Sequence, residues 1–435
     1  MATHPPQPPP TFTQTADSIV ESTSRVIRNT QRIVDQIVAE TKLEDATFAS
    51  IFLPVAHFRH ALATESRVLC FYKDVSPSEA LRKASREAQV AFDQLNRDIL
   101  MRDDLFALID HAAKRNEELD PESQRLLTYE HRDFLRNGLQ IPAGAQRERF
   151  AKLKARLSEV IDEFRNNLVE DHGSVSFSPQ ELEGMLASAR DRLEPSKCAG
   201  ELSVTFKFPD YYALMRHVRL EETRRKYYVA YLSRCQANVS LFAEATLLRD
   251  QMAQMLDYAN HAEYRTEELT AHSPEHVHVF LEGLRVQLQP RAREELRMLR
   301  ELKESHIGER ASGSGVKLFP WDISFYQTML LQEHYAVDQE VIAQYFPIQH
   351  VVAEMLRIFE EVFGLQFKKA SQATTIGGDK ECTWHPDVHI YHVWDSDAKG
   401  GEFLGYLYLD LYVRDSKVGN ASNFNLQPVS KRCIS

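Results

Sequence analysis

Between Asp17 and Lys42 apolar side chains recur at Ile19, Val20, Val26, Ile27, Ile33, Val34, Ile37 and Val38. That spacing lays a single apolar stripe along a helix. The segment Gln146–Val169 repeats the pattern, with Phe150, Leu153, Leu157, Val160, Ile161, Phe164 and Leu168 on one face and Arg147, Glu148, Lys152, Lys154, Arg156 and Glu163 on the other. Asn137-Gly138 is the stop that separates this helix from the one before it.

Helix starts are written repeatedly. Ser76-Pro77-Ser78-Glu79 and Ser178-Pro179-Gln180-Glu181 each predict a capping Ser, Pro at the first helical position and a Glu closing the box. Asp120-Pro121 and Ser273-Pro274 predict the same kind of entry. Met1 to about Gln14 is Pro-rich and predicts a flexible tail. Leu202, Val204, Phe206 and Phe208 alternate, predicting a short strand or hairpin arm in Glu201–Phe208. Ala311–Gly315 is a small-residue linker. Helices are expected near Asp322–Glu333, Asp338–Gln344 and Gln349–Val362, the last closed by Gly364.

The texture then changes to strands at His385–Asp395 and Glu402–Val413, joined by a turn over Ser396–Gly401. The second is apolar on both faces, so it expects cover on each. No fixed-period repeat suggests a solenoid.

The 435 residues allow two or three domains, and 43% hydrophobic with 26% charged residues fits a soluble globular chain. No apolar run approaches the ~20 residues of a membrane span. Met1–Pro10 has neither the secretory pattern nor the Arg content of a transit peptide, which predicts a cytoplasmic location. A net charge of −11 repels phosphate backbones, so nucleic acid is not an expected partner. The five cysteines, Cys70, Cys198, Cys235, Cys382 and Cys433, are scattered and form no C-x-x-C pair, which predicts reduced thiols.

Candidate chemistry is sparse. None of the seventeen histidines is followed by Glu, so H-E-x-x-H, which would place two imidazoles and a water-activating carboxylate on one helix face, is absent. The densest group is His385, His389 and His392, with Asp387 and Asp395. On a strand, His385 and His389 stand ~13 Å apart, and His389 and His392 point to opposite faces. Convergence on one metal at ~2.0–2.1 Å is therefore not expected. His276 and His278 read as surface residues. No G-x-S-x-G elbow, P-loop or dinucleotide fingerprint occurs, and Gly377-Gly378-Asp379-Lys380 reads as a turn. Glu360-Glu361 reads as a solvated helix face, and Cys382 has no evident base partner.

Several stretches resemble the thimet oligopeptidase, neurolysin and saccharolysin family of zinc metallo-oligopeptidases. They are Phe71–Pro77 with Leu81–Ser85, Glu130–Leu139, Phe319-Pro320-Trp321-Asp322 with Phe325-Tyr326, Tyr345-Phe346-Pro347, Gly400–Leu411, Arg414–Lys417 and Asn423–Pro428. Their shared order runs over about Thr15–Pro428. The resemblance implies a mainly α fold, the multi-helix lobe of a two-lobed, channel-type peptidase with a small β-hairpin or sheet near the C-terminus. It implies short peptides as substrates and zinc as the cofactor of full-length members.

In that family the zinc helix and a further Glu ligand follow the Asn-Leu-Gln-Pro region. Neither has a counterpart here, so no catalytic, cofactor-binding or metal residue is carried over, and no zinc is expected on this chain. The expected division is a Pro-rich tail over 1–14, a helical N-terminal lobe over 15–310, the start of the peptidase catalytic region over 311–428 and an aberrant tail over 429–435. Val429-Ser430 can be encoded by GTAAGT, a splice-donor sequence, so a retained intron or displaced exon boundary is expected there. The expected function is a partial zinc metalloendopeptidase, inactive alone, whose uncovered sheet near Phe403–Tyr412 recruits chaperones. Two other readings stand beside it: a non-catalytic helical module that binds peptides, and a small metalloenzyme using His385, His389 and His392.

Overall fold

The computed structural model describes residues 5–169, 171–308, 316–335, 339–370, 382–412, 414, 417 and 421–428. In chain order its elements begin with α1 (Ala16–Glu40), α2 (Leu53–Val75), α3 (Glu79–Leu100), α4 (Asp103–Lys114), α5 (Pro121–Phe134) and α6 (Ala145–Val169). Then come β1 (Ser174–Phe177), α7 (Ala187–Arg190), β2 (Glu194–Pro195), β3 (Leu202–Thr205), α8 (Phe208–His217), α9 (Glu221–Leu232), α10 (Asn238–Met255), α11 (His261–Thr266) and α12 (Pro274–Ile307). The chain continues through α13 (Pro320–Tyr335), α14 (Gln339–Ala343), α15 (Ile348–Phe363), β4 (Leu365–Lys369), β5 (His389–Asp395) and β6 (Phe403–Leu409). The fold is mainly α, with two small antiparallel sheets among the described residues, and it divides into two compact units. One joins Met1–Ala143 to Pro347–Ser435; the other is the contiguous stretch Gly144–Phe346. Among the described residues no helix is long and apolar enough to cross a membrane.

In the first unit, Thr15 and Ser18 form a reciprocal capping box that starts α1, whose Ile19, Val26, Val34 and Ile37 are buried. α2 and α3 pack as neighbours with α1 across them. Between α2 and α3, buried Ser85 donates to Leu69 O at 2.8 Å and accepts from Lys73 N at 3.0 Å. The stop at Gly138 is real: its φ of 106° lies where glycine is favoured, inside a short turn of π-helix after α5. The entry of α3 differs from expectation. Ser78, not Ser76, is the cap, because its hydroxyl accepts from Leu81 N at 3.4 Å while Ser76 Oγ accepts from Ser78 N.

The Pro-rich stretch is also not loose over its described part. Phe12 is buried among Phe71, Tyr72, Trp384 and Tyr408, with ring centroids 5.0 to 6.2 Å away. Tyr406 donates its hydroxyl to Gln7 O at 2.5 Å. A large aromatic side chain among prolines supplies enough buried area to fix the segment.

The sheet of this unit has the order β4-β5-β6. β4 was not foreseen, and His385–Val388 precede the strand as a turn instead of extending it. Gly364 ends α15 at φ 60°, a left-handed conformation that favours glycine. One sheet face, carrying Ile390, His392 and Trp394, is buried, and Tyr408 beside Ile390 packs on the main core. The opposite face, with Tyr391, Val393, Leu407 and Leu409, is half-buried.

The second unit begins with α6 against α10, where Val160, Leu241, Ala245 and Leu248 are buried. The foreseen strand is β3, the centre of a β1-β3-β2 sheet over Phe177, Leu182, Leu214 and Tyr227. At Ser178–Glu181 the capping box forms, with Ser178 N and Oγ donating to Glu181 Oε2 at 2.8 and 2.9 Å, but it closes a series of turns, not a helix. The linker expected at Ala311–Gly315 lies outside the described residues.

The anchor of this unit is an ion cluster. Arg224 and Asp322 are 1% and 0% exposed, and Arg224 Nη2 donates to Asp322 Oδ1 at 2.9 Å. The same guanidinium donates to the carbonyls of Val218, Arg219 and Trp321 and lies 4.2 Å from the Phe325 ring centroid. Asp322 Oδ2 accepts from Lys303 Nζ at 2.7 Å and from Phe319 N at 3.0 Å. Asp322→Ala would leave two cations buried without it, and breaking such a pair costs about 3–5 kcal/mol. Urea unfolding monitored within Gly144–Phe346 should show a loss of that order, with the other unit unaffected.

Candidate functional site

The resemblance placed no catalytic residue, so the first question is whether the chemistry-bearing side chains near the β4-β5-β6 sheet converge. They do not converge on a metal. His389 and His392 sit on opposite faces of β5, His389 half-buried and His392 buried. His385 lies in the preceding turn, where its Nδ1 is 3.6 Å from Asp387 Oδ2. Desolvation, then the positive charge of Lys369, pushes the His389 pKa down. The His392 ring stands edge-on to Tyr406 at 5.4 Å. Among the described residues no group of three His, Cys, Asp or Glu side chains comes within reach of one ion. The zinc implied by the resemblance therefore finds no fitting ligand set among these residues. His276 and His278 are exposed on the first turns of α12, as expected. The Gly377–Lys380 turn lies outside the described residues.

Glu360 has a role that the sequence did not suggest: its Oε1 accepts from Phe367 N at 2.7 Å and ties α15 to β4. Glu361 remains on the solvated face with Arg357. Cys382 is buried beside the sheet. Burial, with a lesser contribution from Cys382, pushes the Tyr406 hydroxyl up to about 12, so this tyrosine is not prepared to act as a base.

What does converge lies at the end of β6. Asp410 Oδ1 accepts from Arg414 Nη1 at 2.7 Å and Lys417 Nζ at 2.9 Å. Its Oδ2 accepts from Arg414 Nη2 at 2.7 Å and from the Trp384 indole at 2.9 Å. Lys417 also caps the carbonyls of Asp410 and Tyr412. Burial works to raise the Asp410 pKa, but the hydrogen bonds from Arg414, Lys417 and Trp384 outweigh it and hold the carboxyl well below the usual range. A carboxylate with both oxygens engaged by cations is a poor proton acceptor. Its effect is to pin the end of β6 to the Trp384 segment and to the chain that follows. The sequence carried the signal, an apolar strand ending in Asp with Arg and Lys four and seven residues on, but not the partner Trp384.

Along its outer edge β6 makes no main-chain pairing among the described residues. This leaves a row of strand donors and acceptors of the kind that an extended peptide can complete.

Comparison with known proteins adds the family. The model of peptidase family M3 matches residues 214–433. The chain is similar to saccharolysin of Saccharomyces cerevisiae, 28% identical over 431 residues, covering 97% of this chain and 59% of that protein. It is 27% identical to a probable thimet oligopeptidase of Arabidopsis thaliana over 413 residues, covering 95% and 56% of the two chains. To oligopeptidase PhomG' of Diaporthe leptostromiformis it is 30% identical over 406 residues, covering 92% and 33%. The chain thus spans about three-fifths or less of the length of these relatives.

The Asp410 cluster makes a pH prediction. Because its folded pKa is depressed, the stability that it contributes is complete above the ordinary value of about 3.9 and is lost as pH falls through the lower folded value. Asp410→Asn should cost about 1.5–3 kcal/mol at neutral pH, the worth of hydrogen bonds to a charged group. Denaturant melts of the two proteins should draw together as pH is lowered beneath 4.

Proposed function

Because the chain belongs to peptidase family M3, we propose that it is part of a zinc oligopeptidase that hydrolyses short peptides and that residues 1–435 alone do not cleave them. The observation that carries this reading is a contrast. The family match runs through residues 214–433, yet no His in the sequence is followed by Glu and the best histidine group is split across a strand. Water activation on zinc needs convergent ligands and a nearby carboxylate. The ordered features described above, the Asp410 cluster and the Arg224–Asp322 pair, hold elements in place and offer no water-activating group. A cytoplasmic location belongs to the same reading, as does chaperone recruitment by the half-buried sheet face.

A second reading, peptide binding without cleavage, is favoured by the outer edge of β6, which is unpaired among the described residues. An extended peptide added there would gain main-chain hydrogen bonds regardless of much of its sequence.

One set of measurements separates these outcomes. Purified residues 1–435 should contain far less than stoichiometric zinc and give no chelator-sensitive turnover of a quenched fluorogenic peptide. Saturable peptide binding without turnover would favour the second reading. Stoichiometric zinc with chelator-sensitive hydrolysis would overturn both.

A further inference from the structure

Residues 5–12 lie against the first unit as a strap, and the surface beneath them has the chemistry of a seat for proline-rich chains. Proline fixes φ near about −65°, and a residue that precedes proline is confined to extended backbone. Gln7-Pro8-Pro9-Pro10 is therefore preset toward polyproline II, whose carbonyls have no partners of their own. Among the described residues no main-chain to main-chain hydrogen bond involves residues 5–14. Side chains hold the strap instead. Pro9 and Phe12 are buried, and the Phe12 ring stands edge-on to Phe71, Tyr72, Trp384 and Tyr408. Tyr406 donates to Gln7 O, and Gln14 N donates to the Tyr72 hydroxyl at 3.3 Å. Aromatic side chains that receive a preformed proline-rich segment are a known mode of peptide recognition.

The seat has anchors outside the strap. Trp384 is held by its indole bond to Asp410, Tyr406 and Tyr408 by the pairing of β6, and Phe71 and Tyr72 by burial in α2. The Tyr408 hydroxyl is buried with no partner among the described residues, so the strap leaves one donor of this surface unused. A segment without ladder bonds, resting on a surface anchored elsewhere, is a unit that opens locally.

We propose that Phe71, Trp384, Tyr406 and Tyr408 form a recognition site for proline-rich segments of the type Pro-Pro-Pro-x-Phe, supplied by a partner protein, and that the chain's own strap is the resident competitor. A second copy of this chain is a poorer source. Only Thr13 and Gln14 separate Phe12 from the Thr15 cap of α1, so exchange of straps would force the two α1 starts together. Being tethered, the strap competes at an effective concentration of about millimolar. A partner's segment then binds with an affinity reduced by the fraction of seats that stand open. This recognition is independent of whether the chain hydrolyses peptides.

The probe is a fluorescein-labelled peptide of residues 5–15, read by anisotropy against the full chain. Phe12→Ala in the chain weakens the competitor, so this variant should bind the peptide about fiftyfold more tightly than the unaltered chain, the effect of one buried Phe ring. Ala in place of Phe in the peptide, or Gly in place of its three consecutive prolines, should remove most of that binding. Amide exchange on the unaltered chain needs no substitution. Gln14 should exchange by a local opening that low urea does not accelerate, ahead of the amides of α2, and excess peptide should speed it further. Equal affinity for the two chains, or binding indifferent to the peptide's Phe, would overturn the proposal. So would Gln14 exchange that follows global unfolding and ignores the peptide, a result that decides the matter even where Phe12→Ala does not fold. A dimer of the unaltered chain that the peptide disperses would put a second copy in the seat and overturn the partner assigned.

Discussion

The first unit depends on a contact between parts of the chain that are almost as far apart in sequence as the molecule allows. Phe12, Phe71, Trp384, Tyr408 and Phe424 form one group of rings in mostly edge-to-face or tilted arrangements. Aromatic rings combine large buried area with a preferred geometry, so such a group holds both position and orientation. Everything about the β4-β5-β6 sheet follows from it. Trp384 leads into β5, Tyr408 is on β6, and the Trp384 indole reaches Asp410, which in turn binds Arg414 and Lys417.

Charge serves the second unit as rings serve the first. Arg224, Lys303 and Asp322 come from α9, α12 and α13, and their mutual satisfaction specifies how those helices cross. Burying ions is costly, and the cost is offset here because nearly every donor and acceptor has a partner. Trp321 and Asp322 sit in one of the sequence blocks that carry the family resemblance. Their role is now visible: the Asp322 carboxylate is the shared anion, and the Trp321 carbonyl accepts from Arg224.

The helices were legible because their apolar periodicity and caps are local. Asp120 and Ser273 act at helix starts, and Gly364 and Gly138 act where left-handed backbone is needed. What escaped reading was set by distance. Ser76-Pro77 and Ser178-Pro179 each satisfy a local rule, yet tertiary packing shifted one helix start and reduced the other to turns. Phe12 looked like part of a tail because its partners lie more than fifty residues away at the nearest. β4, with Lys368 and Lys369 at its end, is stabilised by pairing with β5 more than by its own composition. The candidate site was legible chiefly as a missing pattern, since a sequence can be searched for His-Glu pairs, whereas the Asp410 cluster needs Trp384 to be brought across in space.

The order of the two units along the chain has a consequence for how the molecule is made. Gly144–Phe346 is contiguous, but its companion is interrupted by it. On a ribosome the contiguous unit can finish its core as soon as Phe346 emerges. The interrupted one must hold Phe71 and its neighbours partly uncovered until Trp384, Tyr408 and Phe424 have been synthesised, a closure across more than three hundred residues. During that interval its exposed rings are a liability, so the speed of elongation through the middle of the chain bears directly on how much of this protein reaches its native state.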